Sequence, residues 1–400
     1  MSKVKKILLV ICTILVAIVI LTLTISFIVY PSEYVLRVFT WLSADVYDYT
    51  RFPERPISSS AESFAFSYAL DEDRVRNLFE EQPSINQLDS FLTETGTQAF
   101  LVIQDDAILY EGYFNGAASD SIVTSFSIAK SFTSALIGIA IDEGHINSVE
   151  DPITKYIPEL LERDMRFANI NIRDLLRMSS GIKYVETSFI NGDDAKTYYY
   201  PDLRQLAIDG TEIVSQPGES FLYNNYHPLL LGLIIERSTG RSVAQYLQDK
   251  IWDPIGMQYP ASWSLDSERS GFEKMESGIN ARAVDFAKFG RLFLGNGEWF
   301  GRQVISPDWI AASTRPGNTP APANYYPSEF IFKDGKGFYG YMWWGIERPD
   351  GEADFFAIGN YGQFIYVSPE KNLIIVRNGE KYGIEAIDWI NLFYQFAAQI

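Results

Sequence analysis

Strand-like segments stand at the two ends of the globular part of this chain and helix-like segments fill its middle. A chain ordered in this way has few means of closing on itself. Residues 99–104 and 108–114 are apolar runs joined by Asp105-Asp106, the signature of a hairpin. Near the C-terminus, residues 338–346, 355–358, 363–367 and 373–377 read as short strands, and residues 385–396 as a last amphipathic helix. Residues 131–143 form a nearly continuous apolar helix ended by Gly144. Residues 228–237 have Pro228 in the first turn and Gly240 after the end. Residues 283–294 put Phe286, Phe289 and Phe293 on one helical face, and residues 85–92 read as a helix that opens the globular part. The simplest closed solution is an α+β fold. One antiparallel sheet is built from both termini and flanked by helices, with a mainly helical region inserted. A cleft between sheet and insert is the default site.

Residues 1–30 are of another kind. Lys3, Lys5 and Lys6 precede a 23-residue apolar stretch from Ile7 to Val29. As a helix rising about 1.5 Å per residue, it crosses a hydrocarbon core of about 30 Å. It exceeds the apolar part of a secretory signal, about 7–15 residues, and no A-x-A site follows it. A cleaved export signal is the alternative. A lipoprotein site at Cys12 is disfavoured, since Ile11 stands where a small residue is wanted. Basic residues before the span predict a single-pass protein of the cell membrane, with the remainder on the extracytoplasmic side. Residues 31–83 read as a stalk or linker, punctuated by Pro31, Pro53, Pro56 and Ser58-Ser59-Ser60. Within it residues 34–49 are amphipathic and pack on the domain or on the membrane surface. The expected organisation is thus a stub and transmembrane anchor over 1–30, a stalk over 31–83 and one globular domain over 84–400.

The net charge is −18, and without the three N-terminal lysines the balance is 30 basic against 51 acidic side chains. Such a chain repels phosphate backbones, so nucleic acid is not an expected partner. Cys12 is the one cysteine, and His145 and His227 are the two histidines. These numbers leave no intrachain disulfide, no thiolate cluster and no tris-imidazole zinc site, and no metal or cofactor is expected. The sequence has no G-x-S-x-G, H-E-x-x-H or Walker loop. One G-x-G-x-x-G, at Gly335, Gly337 and Gly340, leads into a predicted strand and opens no helix, which argues against a dinucleotide site.

The segment with chemical promise is Ser127-Ile128-Ala129-Lys130. The same spacing starts at Ser2, Ser180 and Ser368, but only this copy opens a strongly apolar helix. On a helix, positions i and i+3 share a face. Ser127 falls in the first turn, where free N–H groups and the dipole favour a developing alkoxide. Lys130, one turn in, is surrounded by apolar side chains, and desolvation makes the neutral amine available as a base. The bland alternative is an N-cap serine with a snorkelling lysine. Tyr223-Asn224-Asn225 precedes the helix at Pro228. Tyr223 can shuttle a proton if a nearby cation lowers its pKa, and Asn225 can hydrogen-bond Lys130 and a substrate carbonyl. The alternative is a loop tyrosine with an asparagine cap. In Ala357-Ile358-Gly359-Asn360-Tyr361-Gly362-Gln363, Gly359 and Gly362 allow close backbone approach. Backbone N–H groups of Ser127 and Asn360 can then form an oxyanion hole, against the alternative of a plain glycine turn. His145 reads as structural. His227 reads as a rim residue or as part of a Ser-His-Asp triad with no serine motif behind it.

With these elements in this order, the chain resembles the serine β-lactamase/penicillin-binding-protein superfamily, on its class C side. Further matching segments are 172–181 (IRDLLRMSSG), 253–257 (DPIGM) and 287–293 (AKFGRLF). Residues 126–181 and 362–369 look closest to the 6-aminohexanoate-dimer hydrolase branch. The resemblance covers about residues 84–400. It implies a β-lactamase/transpeptidase-like fold, with Ser127 as acyl-forming nucleophile, Lys130 as its base and Tyr223 as proton relay. Asn225 would position substrate, and the 359–360 segment, with Ser127, would hold the oxyanion. One departure stands out: the usual Lys-Thr-Gly or His-Thr-Gly is here Ala357-Ile358-Gly359. The cation and hydroxyl that grip a substrate carboxylate are missing. The reading is therefore a membrane-anchored serine hydrolase for a small amide or ester. A D-Ala peptidase or β-lactamase, and a catalytically silent ligand-binding domain, are the alternatives. Tyr198-Tyr199-Tyr200 and Trp343-Trp344 are candidates for an aromatic pocket, with core packing as the alternative.

Overall fold

The computed structural model describes residues 3–317, 336–349 and 351–400. Both ends of the domain meet in one eight-stranded sheet. Its order is Gly337–Tyr339, Trp344–Glu347, Ala353–Gly359, Gln363–Ser368, Leu373–Gly379, Thr97–Gln104, Ala107–Tyr113 and Ser67–Tyr68. Every neighbouring pair is antiparallel except the last, which is parallel. The termini join where Ile375 faces Val102. These strands are apolar at successive positions because helices cover both faces. Ile365 and Val367 lie against Gly290 of the helix Ala283–Leu294, while the alternating Phe364 and Tyr366 meet Phe393 of the helix Ala386–Gln399.

The inserted region stacks helix on helix. Ile128–Asp142 is buried at every residue from Ile128 to Ala140 and packs on Tyr226–Thr239, which ends at Gly240 in the left-handed conformation at φ 69°. Burial of about 1.5–3 kcal/mol per large apolar side chain holds such a helix, which has no polar face to offer water.

The boundary expected at residue 84 is corrected, because residues 31–83 are woven into the fold. Helix Ser32–Trp41 buries Tyr34 and Val35, and with Phe52 it packs on Ala195 and Tyr199. Of the two placements open to residues 34–49, this is packing on the domain. Strand Glu54–Ile57 pairs with Ala261–Ser264 in a second sheet that continues through Ile279–Ala281 to Val123–Thr124. Pro31 and Pro53 stand just before elements and Pro56 lies within the strand Glu54–Ile57 opposite Ser262, so the segment is no free linker. Helix Glu72–Glu80 carries mostly polar residues around a short apolar stripe of Val75, Leu78 and Phe79, and Phe79 stacks on Phe396 at 4.3 Å. The helix expected over 85–92 begins at Leu88. The strand expected over 338–346 is two strands folded about a turn with Met342 at φ 59°. Gly335 of the G-x-G-x-x-G lies outside the described residues, and Gly337 opens a strand. Among the described residues, the helix Lys3–Val29 is long and apolar enough to cross a membrane.

Candidate active site

Ser127 immediately precedes the helix Ile128–Asp142, and its own backbone is already helical at φ −64°, ψ −7°. Phe126 before it is held at φ 42°, a strained value for an aromatic residue. The turn is pinned from the second sheet. The Ser125 N–H donates to Ile279 O at 2.7 Å, and Ser125 Oγ accepts the Ile279 N–H at 3.0 Å. Together these bonds leave Ser127 partly exposed at the head of a buried helix.

Lys130, one turn further in, is 1% exposed. Its Nζ lies 2.7 Å from Ser127 Oγ and donates to the backbone carbonyl of Glu276 at 3.0 Å. Burial pushes its amine from 10.5 down to about 7, against the pull of the Glu276 and Asp194 carboxylates. The amine is therefore substantially uncharged near neutrality.

Tyr223 is half-buried, with its ring stacked on Trp344 at 5.9 Å and its centroid 5.0 Å from Lys130 Nζ. Burial pushes its phenol up, and a hydrogen bond with the Ser127 side chain only partly opposes the rise. This corrects the expectation of a phenol lowered by a cation: the neighbouring amine is itself poised to lose its charge. Tyr223 is thus a protonated phenol that can donate and relay a proton, not a base in its own right.

Asn225 departs from expectation as well. Its Nδ2 donates to the Tyr184 hydroxyl at 2.8 Å, and Tyr184 donates in turn to Asp194 Oδ1 at 2.6 Å. Asn225 makes no hydrogen bond with Lys130, which bonds Ser127 and the Glu276 carbonyl. Asn225 Oδ1 is buried without a hydrogen-bond partner.

Gly359 ends the strand Ala353–Gly359 directly against the nucleophile turn. A Cβ there would come within 2.3 Å of Ser125 O. The Tyr382 hydroxyl donates to Gly359 O at 3.3 Å, and Gln363 Nε2 donates to the carbonyl of exposed Asn360 at 3.2 Å. Among the described residues, the backbone N–H groups of Ser127 and Asn360 take no part in the turn and loop hydrogen bonds.

The two aromatic groups divide. Trp344 stacks on Tyr223, whereas Trp343 is 0% exposed and packs on Phe289 and Phe293. Tyr198 stacks on Phe126, and Tyr199 and Tyr200 pack beside Tyr34. His227 is paired with Ser180 Oγ at 2.6 Å, and burial pushes its imidazole down to about 3. It forms no triad with Ser127. His145 is partly exposed near Glu143, at 3.7 Å. The Glu276 carbonyl and the buried Lys274–Glu276 ion pair at 3.0 Å carried no sequence signal, since a backbone carbonyl has no residue type and the pairing is tertiary. Among the described residues, no group of three or more His, Cys, Asp or Glu is placed to hold a metal ion.

A partly exposed hydroxyl, a desolvated amine and a protonated phenol form an arrangement able to perform acyl transfer. The β-lactamase family model matches residues 89–383, and the chain belongs to that family. The fold is β-lactamase/transpeptidase-like, and the protein is a hydrolase of β-lactamase type. It is 28% identical over 306 residues to a 6-aminohexanoate-dimer hydrolase of Paenarthrobacter ureafaciens, covering 72% of this chain and 74% of that one. A candidate 6-aminohexanoate-dimer hydrolase from Bacillus anthracis superposes with a TM-score of 0.74 at 24% identity, over 88% of this chain and 93% of the other. A class C β-lactamase superposes with a TM-score of 0.60 at 15% identity, over 84% and 99%.

Proposed function

We propose that this protein is a membrane-anchored serine hydrolase that cleaves an amide or ester bond through an acyl-enzyme on Ser127. The observation that carries the reading is the 2.7 Å approach of Ser127 Oγ to a buried lysine whose amine sits near neutrality. Lys130 takes the Ser127 proton as Oγ attacks the substrate carbonyl carbon. The backbone N–H groups of Ser127 and Asn360 receive the oxyanion, each donor contributing about 3–4 kcal/mol in sites of this kind. On collapse, the proton passes from Lys130 through Tyr223 to the leaving nitrogen or oxygen. Water then attacks the acyl carbon, gives its proton back along the same route and frees Ser127. Asn225, held by Tyr184, borders this site and positions substrate. The helix Lys3–Val29 is the anchor, with the catalytic domain on the extracytoplasmic side.

The Ala357-Ile358-Gly359 strand end lacks the cation and hydroxyl for a substrate carboxylate, which favours amides and esters without one. The test is capture of the intact protein by a fluorophosphonate and, separately, by a labelled penicillin. Adduct at Ser127 with the fluorophosphonate alone is expected. Penicillin capture would move the assignment to the cell-wall peptidases, and no adduct with either reagent would point to a silent binding domain.

A further inference from the structure

The end of the apolar helix and the mouth of the site are joined by a short chain of contacts. Tyr30, one residue past Lys3–Val29, packs its ring 5.3 Å from Tyr34 of the helix Ser32–Trp41. The Tyr34 hydroxyl donates to Ile190 O at 2.6 Å. Ile190 belongs to the loop that begins at Tyr184, which holds Asn225 and Asp194, and the Glu186 carboxylate in this loop lies near enough to Tyr223 to push its phenol up further. One loop therefore spans from the membrane-side junction to the rim of the site.

Large apolar side chains stand exposed along this path. Phe189 is 76% exposed and Leu42 72%, with Leu36 and Phe39 exposed on the helix that Leu42 follows and Val185 exposed in the loop that carries Phe189. The exposure of Phe189 is built in. The Gly192 N–H donates to Phe189 O at 2.7 Å, and a Cβ at Gly192 would fall 2.0 Å from Thr187 O, so the loop is closed tightly beneath the ring. Large exposed apolar side chains on a soluble face mark a contact. Leu36, Phe39 and Leu42 follow closely in the chain on a helix suited to cross a bilayer, and Tyr30, at the end of that helix, stands where an interfacial aromatic residue belongs.

We propose that the catalytic mouth opens onto the bilayer surface. Leu36, Phe39, Leu42, Val185 and Phe189 are set into the interfacial zone, and the site takes its amide or ester substrate from membrane-resident amphiphiles. The inference rests on the reading of an anchored serine hydrolase and deepens it. The acidic surface repels anionic headgroups, so the contact is apolar and only weakly dependent on salt.

The test uses the full chain in phosphatidylcholine vesicles, with Cys12→Ser and Phe189→Cys carrying an environment-sensitive fluorophore. Lipids brominated near the glycerol should quench the label more than aqueous iodide does. Stronger quenching by iodide, or shielding from both quenchers as in a protein–protein contact, would overturn the bilayer contact. A second arm compares a water-soluble butyrate ester with a long-chain ester dissolved in the same vesicles, using Phe39→Ser with Phe189→Ser. Turnover of the soluble ester should stay near the parent rate, while turnover of the vesicle-borne ester should fall at least about tenfold, as expected for losing two aromatic side chains that are only partly inserted. An equal fall for both, or no change in either, would overturn the substrate class. Lipid quenching in a protein that turns over neither ester would uphold the bilayer contact and refute the hydrolase reading instead.

Discussion

Lys130 is the residue on which stability and chemistry disagree. An amine that ordinarily titrates at 10.5 is held in a site where it titrates at about 7. At about 1.4 kcal/mol per tenfold, that disparity costs the folded state about 4 kcal/mol at pH 7. The sign follows from proton counting. Between about 7 and 10.5 the unfolded chain binds the proton and the folded one releases it, so stability rises with pH across that window and the cost is complete below it. Lys130→Met should therefore melt at a higher temperature than the parent at pH 7, with the gap closing toward pH 10.5, while acylation is lost. A Lys130→Met protein that melts no higher by calorimetry at any pH would contradict this. The Ser127–Lys130 pair was legible in the sequence, because three residues on a helix set their facing whatever the rest of the chain does. The state of Tyr223 was not. Its phenol is raised by burial, to which Trp344, more than a hundred residues away, contributes by stacking on its ring, and the hydrogen bond with Ser127 only partly opposes the rise. Asn225 was equally illegible, since Tyr184 reaches its amide only through the loop's own fold.

At the level of elements, the strand end at Gly359 decides how close the proposed oxyanion donors stand. The carbonyl of Ser125 lies where a Cβ on Gly359 would be, so Gly359→Val must separate the strand from the nucleophile turn. Displacement of this order costs about 10²-fold in a positioned reaction. Gly359→Val should slow fluorophosphonate labelling of Ser127 by that amount, while Asn360→Ala, which keeps its backbone N–H, should label near the parent rate. Equal rates in Gly359→Val and the parent would remove the strand end from the site. The long apolar helices were legible from composition, as was the hairpin at Asp105-Asp106. The helix Glu72–Glu80 was not, because only Val75, Leu78 and Phe79 turn toward the core from a segment otherwise made of charged and polar residues. The break at Tyr341-Met342 was hidden inside an aromatic run that reads as one strand.

For the whole molecule, the N-terminal quarter is structural, and the proline-rich reading of a stalk failed because burial there is supplied by distant partners. Tyr34, Phe52, Ile57 and Phe79 are all buried against residues from later in the chain or between elements of this quarter and the sheet. Losing four such side chains, at about 1.5–3 kcal/mol each, approaches the entire stability of a domain, about 5–15 kcal/mol. A chain beginning at residue 31 should be soluble and melt cooperatively, whereas one beginning at residue 84 should fail to fold. Circular dichroism melts of the two chains check this, and a cooperative transition in the shorter chain would show the segment to be dispensable.

The central claim is that a buried, neutral lysine activates Ser127. The most direct measurement is the rate of Ser127 acylation by a fluorophosphonate as a function of pH, followed by intact mass. The rate should climb through an apparent pKa of about 7 and then level, tracking the Lys130 amine. A rate that keeps rising toward pH 10, or one that Lys130→Ala leaves unchanged, would contradict the claim.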